Sequence, residues 1–195
     1  SDLHTQTCCL GKARCEWSCL DTQAITNDIT HEFQDELHRP AFPYKFKFKT
    51  SGCPNDCVAA IARADCSIIG TWRDKIRIDQ EAVKAYVAGE LAPNGNSFDT
   101  GPSALDIQKE VCDLCPTRCM EWDGKALKIW DEDCTRCMHC INVMPRALRP
   151  GTDTGATILC GGKAPILEGA QLSSVIIPFM KMEEPYEEFK DFVEK

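Results

Sequence analysis

The 195-residue chain has no apolar run approaching the 18 or so residues that a membrane-spanning helix needs. No signal-like segment opens it either, so nothing in the sequence argues for membrane insertion or for an oxidising compartment. Positive charge is short: 22 Lys and Arg stand against 30 Asp and Glu, a net charge of −8 with a pI near 5.0. That balance argues against a nucleic-acid partner. Histidine is scarce as well. His4, His31, His38 and His139 form neither a zinc-protease motif nor a Cys–His nucleophile arrangement, and are read as structural or surface residues. Cysteine, by contrast, is abundant: 14 residues, nearly all in tight groups. A hydrophobic content of 43% supports ordinary cores that need no disulfides, so grouped cysteines are read as metal ligands.

The chain opens on "SDLHTQTCCL", without methionine and with cysteines almost at once, and is expected to be part of a longer protein. Strand and helix signals alternate, which favours an α+β or layered α/β fold. "DTQAITNDITHEFQDELHR" carries Ile25, Ile29, Phe33 and Leu37 at helical spacing. "YKFKFKT" alternates with period two, setting Phe46 and Phe48 against Lys45, Lys47 and Lys49. In "SGCPNDC", Cys53 and Cys57 are four apart around Pro54, and a helix from about residue 54 to 65 would place both sulfurs on one face. "SIIGTW" and "KIRID" read as strands and "QEAVKAYVAGEL" as a helix; residues 92–103 read as a linker or surface loop. Three regions follow: 1–103, 104–151 and 152–195, the last with two strands around a glycine turn and an acidic helix presenting Tyr186, Phe189 and Val193.

The middle region is decoded by spacing. Cys134-x2-Cys137-x2-Cys140 matches three corners of a ferredoxin-type [4Fe–4S] cluster, whose fourth ligand comes from a distant Cys-Pro; Cys115-Pro116 offers it. A reciprocal cluster lacks its ligands, because Met144-Pro145 stands where the second Cys-Pro would be. Structural zinc is the alternative. Cys112 and Cys119 are expected to be packing residues, as are Met120, Met138 and Met144 and the tryptophans Trp17, Trp72, Trp122 and Trp130.

Cys9-x5-Cys15 followed by Cys53-x3-Cys57 is not ferredoxin spacing. It resembles the signature of the siroheme-dependent sulfite and nitrite reductases. "ARCEWSC", "FQDELHRPAFPYKFKFKTSGCPNDC", "SIIGTWRDKIRIDQ", "DIQKEVCDLCPT" and "CTRCMHCINVMPRALRPG" extend the resemblance to the dissimilatory sulfite reductase alpha-subunit family over nearly the whole chain. Cys8 beside Cys9, and the longer "AGELAPNGNSFDTGPSAL" connection, depart from the pattern.

The resemblance implies a sulfite reductase-type domain for 1–103, N-terminally truncated, with a ferredoxin-like module inserted at 104–151 and a return segment at 152–195. It implies a siroheme and two [4Fe–4S] clusters, one held by Cys9, Cys15, Cys53 and Cys57, with Cys57 also ligating the siroheme iron. The second would be held by Cys115, Cys134, Cys137 and Cys140. The activity implied is six-electron reduction of sulfite to sulfide in the cytoplasm. The expected partners are a beta subunit in an α2β2 assembly and a redox protein. Substrate and macrocycle carboxylates need fixed positive charge. Lys45, Lys47 and Lys49 are assigned to them, with Arg14 a further candidate; the run alone reads as an ordinary strand with a solvated lysine face, but its position just before Cys53 reverses that reading. The alternatives are a reverse-acting enzyme of sulfur oxidation and an electron-transfer protein without siroheme.

Overall fold

The computed structural model describes residues 6–37, 46–94, 104–163 and 169–195. In chain order its strands are β1 (Thr7–Cys8), β2 (Phe48–Ser51), β3 (Cys66–Trp72), β4 (Arg77–Ile78), β5 (Met120–Trp122), β6 (Leu127–Ile129), β7 (Leu148–Arg149), β8 (Thr154–Cys160) and β9 (Ser174–Met180). Its α-helices are α1 (Thr22–Glu32), α2 (Ala60–Arg63), α3 (Gln80–Val87), α4 (His139–Val143) and α5 (Glu187–Glu194). Contacts divide the chain into two compact units, Ser1–Arg73 with Asp153–Lys195, and Asp74–Thr152.

The first unit is a mixed sheet in the order β1-β2-β3-β8-β9. β1, β2 and β3 run parallel, while β8 and β9 are added antiparallel. All seven positions of β3 are buried, as expected of a central strand covered on both faces. On one face Ile25 and Ile29 of α1 and Phe189 of α5 close over Phe48 and Ile68. Asp21 caps α1 by accepting the Ala24 N–H at 3.0 Å. The opposite face is thinner, with Ala60, Ile69 and Leu159 buried under Val58 and Ile61. Lys190 on α5 ties that helix to α1 through Asp28 at 2.9 Å and Glu32 at 3.3 Å.

The second unit starts thirty residues earlier than the boundary expected at 104. β4 pairs with β7, joining Arg77 to Arg149 and Ile78 to Leu148, and this draws 74–94 into the unit. α3 follows, capped by Asp79, which accepts the N–H groups of Glu81 and Ala82. β5 and β6 form a hairpin whose turn is held by Asp123, accepting from Lys125 and Ala126. Met120, Met138 and Met144 are buried in this unit as expected. Trp130 is not packing: it is 43% exposed.

The helix expected over 54–65 is the clearest departure. Only Ala60–Arg63 is helical, and Cys53–Ala59 is a pair of turns. Asp56 and Ala59 adopt left-handed backbones, φ 45° and 52°, which a helix cannot contain. The Asp56 carboxylate caps the late, short helix, accepting from Ala60 and Ile61. Cys53 and Cys57 therefore do not share a helical face, and no helix dipole begins at Cys53.

Candidate metal centres

Pairing of parallel strands builds the first cysteine group. β1 and β2 align Thr7 with Lys49 and Cys8 with Thr50, so both strands end at the same edge of the sheet. The chains leaving that edge carry Cys9 and Cys53. Cys9 stays close to β2: its N–H donates to Thr50 O at 3.1 Å, and its sulfur accepts the Gly52 N–H at 3.1 Å. A short 3₁₀ turn, Gly11–Ala13, then returns the chain, and the Cys15 N–H donates to Gly11 O at 2.8 Å. Cys19 closes the loop by donating its N–H to Gly52 O at 2.6 Å.

The result is one group of four thiols. Burial pushes Cys53 up to about 11, with the charges of Cys15, Cys57 and Cys9 adding to the effect and the Asn55 N–H opposing it. Cys57 is raised by partial desolvation and then by Cys9, Cys15 and Asp56, although it is the one member exposed to solvent. Cys9 rather than Cys8 is the neighbour whose charge acts on both thiols. Successive residues of an extended chain point to opposite sides, so Cys8 and Cys9 cannot both face the group.

The second group lies wholly in the second unit. Cys140 is pushed up to about 12 by burial and then by the charges of Cys134, Cys137 and Cys115. Cys134 is raised mainly by burial, and its sulfur accepts the Arg136 N–H at 3.4 Å. Cys115 is the exception. Burial works against its thiolate, but N–H groups of Cys119 and Thr117 and their side chains outweigh it and lower the value. Cys119, expected as a packing residue, is also here. It is buried, its sulfur is 3.7 Å from that of Cys115, and it hydrogen-bonds to Cys134. The signal for it was the Cys115-x3-Cys119 interval, the same as Cys53-x3-Cys57.

Backbone strain is concentrated at these loops. Among the described residues, six non-glycine residues have positive φ, and Asp56, Ala59, Arg118, Arg136 and Met138 are five of them. Each costs about 1 kcal/mol or more and persists only where the surroundings enforce it. Here each turns the chain within two residues of a cysteine. Among the described residues no three His, Cys, Asp or Glu side chains close on a single ion position. Four mutually repelling, partly desolvated thiols do suit a polynuclear cationic core, which supplies the missing positive charge and lets them ionise.

The proposed anion-binding residues are placed unevenly. Lys47 is exposed and Lys49 half-buried, on the run that leads into Cys53, while Phe46 and Phe48 contact each other at 5.1 Å. Arg14 is exposed on the turn before Cys15. Lys45, His4 and His38 lie outside the described residues.

The model of the nitrite and sulphite reductase 4Fe–4S domain matches residues 1–195. The dissimilatory-type sulfite reductase alpha subunit of Nitratidesulfovibrio vulgaris is 59% identical over 198 residues, covering 100% of this chain and 45% of that protein. The protein of the same name from Allochromatium vinosum is 44% identical, covering 98% and 44%. A crystal structure of dissimilatory sulfite reductase I superposes with a TM-score of 0.93 at 56% identity, over 100% of this chain and 45% of that one. The chain thus spans somewhat under half the length of these relatives. No described helix is long and apolar enough to cross a membrane.

Proposed function

The chain belongs to the nitrite and sulphite reductase 4Fe–4S domain family, and from that premise we propose that it is the cluster-binding part of a dissimilatory sulfite reductase alpha subunit. The whole subunit, with a beta subunit in an α2β2 assembly, would reduce sulfite to sulfide by six electrons in the cytoplasm. The observation that carries this reading is the gathering of Cys9, Cys15, Cys53 and Cys57 by the β1–β2 edge. These four would hold one [4Fe–4S] cluster, and Cys115, Cys134, Cys137 and Cys140 a second, ferredoxin-type cluster in the inserted unit. Cys119 stands close enough to Cys115 to be tested as the fourth ligand in its place.

Siroheme, when bound, supplies the centre at which sulfite is held and receives electrons. The chain's own residues prepare for it in two ways. Cys57 is the most exposed of the four and Cys53 the most buried, which favours Cys57 as the thiolate shared between a cluster and a second group outside it. Lys47 and Lys49, with Lys45 and Arg14, would provide fixed positive charge for sulfite and for carboxylates of the macrocycle. A redox protein would deliver electrons at the second unit.

The test is the complete alpha subunit co-produced with its beta partner, with Cys57→Ser beside it. The unaltered complex should show the siroheme absorption band, exchange coupling between siroheme and a cluster, and sulfite reduction. Cys57→Ser should abolish the coupling. Coupled spectra that survive the substitution would refute the shared thiolate, and a complex with clusters but no siroheme band would leave an electron-transfer protein.

A further inference from the structure

Five cysteines, Cys8, Cys19, Cys66, Cys112 and Cys160, stand outside both groups, and two of them face each other. Cys66 opens β3 and Cys160 closes β8, and the antiparallel register sets them directly opposite each other. The ladder bond beyond them runs from Gly161 N–H to Asp65 O at 3.0 Å. That bond joins the residue before one cysteine to the residue after the other, which identifies Cys66 and Cys160 as a non-hydrogen-bonded pair. Such pairs are the closer of the two antiparallel types, with Cα atoms about 4.5 Å apart. Disulfides span Cα separations of about 4.4–6.8 Å. Directly opposed residues project to the same face, and here the two thiols already share a hydrogen bond.

We propose that Cys66 and Cys160 are a redox-active dithiol, a modification site that small organic disulfides convert to a cross-strand disulfide. Access is one-sided. Cys66 is 2% exposed, whereas Cys160 is half-buried and followed by Gly161, over whose α-carbon the structure is open. Cys160 is therefore the entry thiol. Its thiolate attacks one sulfur of RSSR, forming Cys160–S–S–R and releasing RS⁻. The Cys66 thiolate then attacks the Cys160 sulfur, forming the Cys66–Cys160 bond and releasing the second RS⁻. Two electrons pass from the protein to RSSR, and the two thiol protons end on two RSH. The bond ties two central strands together beside Lys47, whose carbonyl accepts the N–H groups of both Asp65 and Cys66 at 3.0 Å.

Trypsin makes the pair readable. Cleavage gives residues 64–73 and 147–163, each with a single cysteine, because the Arg149–Pro150 bond resists the protease. The cluster-loaded complete subunit is treated with 2-hydroxyethyl disulfide under anaerobic conditions, alkylated and digested without reductant. The expected product is the two peptides joined, two hydrogens lighter than their sum and separated by dithiothreitol. Cys160→Ser should abolish it, and Cys66→Ser should leave Cys160 as a mixed disulfide. A wild-type protein that stops at the Cys160 mixed disulfide, or yields both peptides alkylated, overturns the proposal.

Discussion

Gly70, in the middle of β3, controls how closely the strand can approach the loop that carries Cys53. A β-carbon at Gly70 would overlap the Gly52 carbonyl oxygen, lie 2.6 Å from the Gly52 carbonyl carbon and 3.1 Å from Leu20 Cγ. Ordinary carbon contacts are about 3.5–4.0 Å, so Gly70→Ala requires backbone to separate by about 1 Å. The Gly52 carbonyl cannot yield freely, because it accepts the Cys19 N–H at 2.6 Å. Overpacking costs about 1–3 kcal/mol, and a weakened buried hydrogen bond about 1 more, so the substitution should cost about 3 kcal/mol. At about 2–4 °C per kcal/mol for a chain of this size, the thermal midpoint should fall by roughly 6–12 °C. Gly52→Ala is the internal control: its β-carbon meets mainly the Ser18 hydroxyl, which can rotate away, and Ser18→Ala should relieve it. The assay pairs thermal unfolding with iron content, since a displaced Gly52 also moves the N–H that Cys9 accepts. A Gly70→Ala protein with unchanged midpoint and full iron would refute this account of the loop.

Three further outcomes follow from the same geometry. Cys137→Ser should lower iron and acid-labile sulfide from about eight each per chain to about four, excluding siroheme iron, and leave the siroheme band in place; zinc in place of iron would sink the second cluster. Lys47→Ala should keep both spectra and raise the KM for sulfite roughly tenfold, about 1.4 kcal/mol, since it removes charge without removing a ligand; an unchanged KM would remove Lys47 from the site. Hydrogen bonding to Asp28, and then Glu32, raises the Lys190 ammonium above its ordinary value. A raised folded value means stability that is fully present below the ordinary lysine value of about 10.4 and lost as pH climbs through the folded one. Lys190→Met should therefore flatten the alkaline fall in stability above that pH, measured by denaturant midpoint.

The elements most legible in the sequence were those that local physics decides. β3 reads directly from "SIIGTW", and α3 from Asp79 ahead of the periodic Val83 and Tyr86, both buried. Residues 54–59 failed because propensity sees a helix start at Pro54, whereas Asp56 and Ala59 are forced left-handed around Cys57. Tertiary context overrode a sound local signal. The grouping of 74–94 with the second unit was not legible for a different reason. A Gly- and Asn-rich stretch marks a loop, but it cannot report that β4 pairs with β7 some seventy residues later. Trp130 shows the same limit: an aromatic ring suggested packing, yet it is exposed, whereas Cys119 is buried as expected and also lies 3.7 Å from the Cys115 sulfur.

The two cysteine groups differ in legibility because they are assembled by different means. In the second group, three cysteines belong to one loop, and only Cys115 must be brought back across the sequence. The β5–β6 hairpin does this: the Trp130 N–H, just after β6, donates to Cys119 O at 2.9 Å, just before β5. The long gap between Cys115 and Cys134 is thus a closed excursion, and interval counting works because the geometry is local. In the first group nothing local relates Cys9 to Cys53. Their proximity depends on β1 and β2 running parallel in a register that ends both strands together. Parallel pairing requires a crossover rather than a tight turn, here supplied through α1, whose Ile25 and Ile29 share a core with Phe48 of β2. The first cysteine group is therefore a property of the sheet, and its spacing could be recognised only by resemblance.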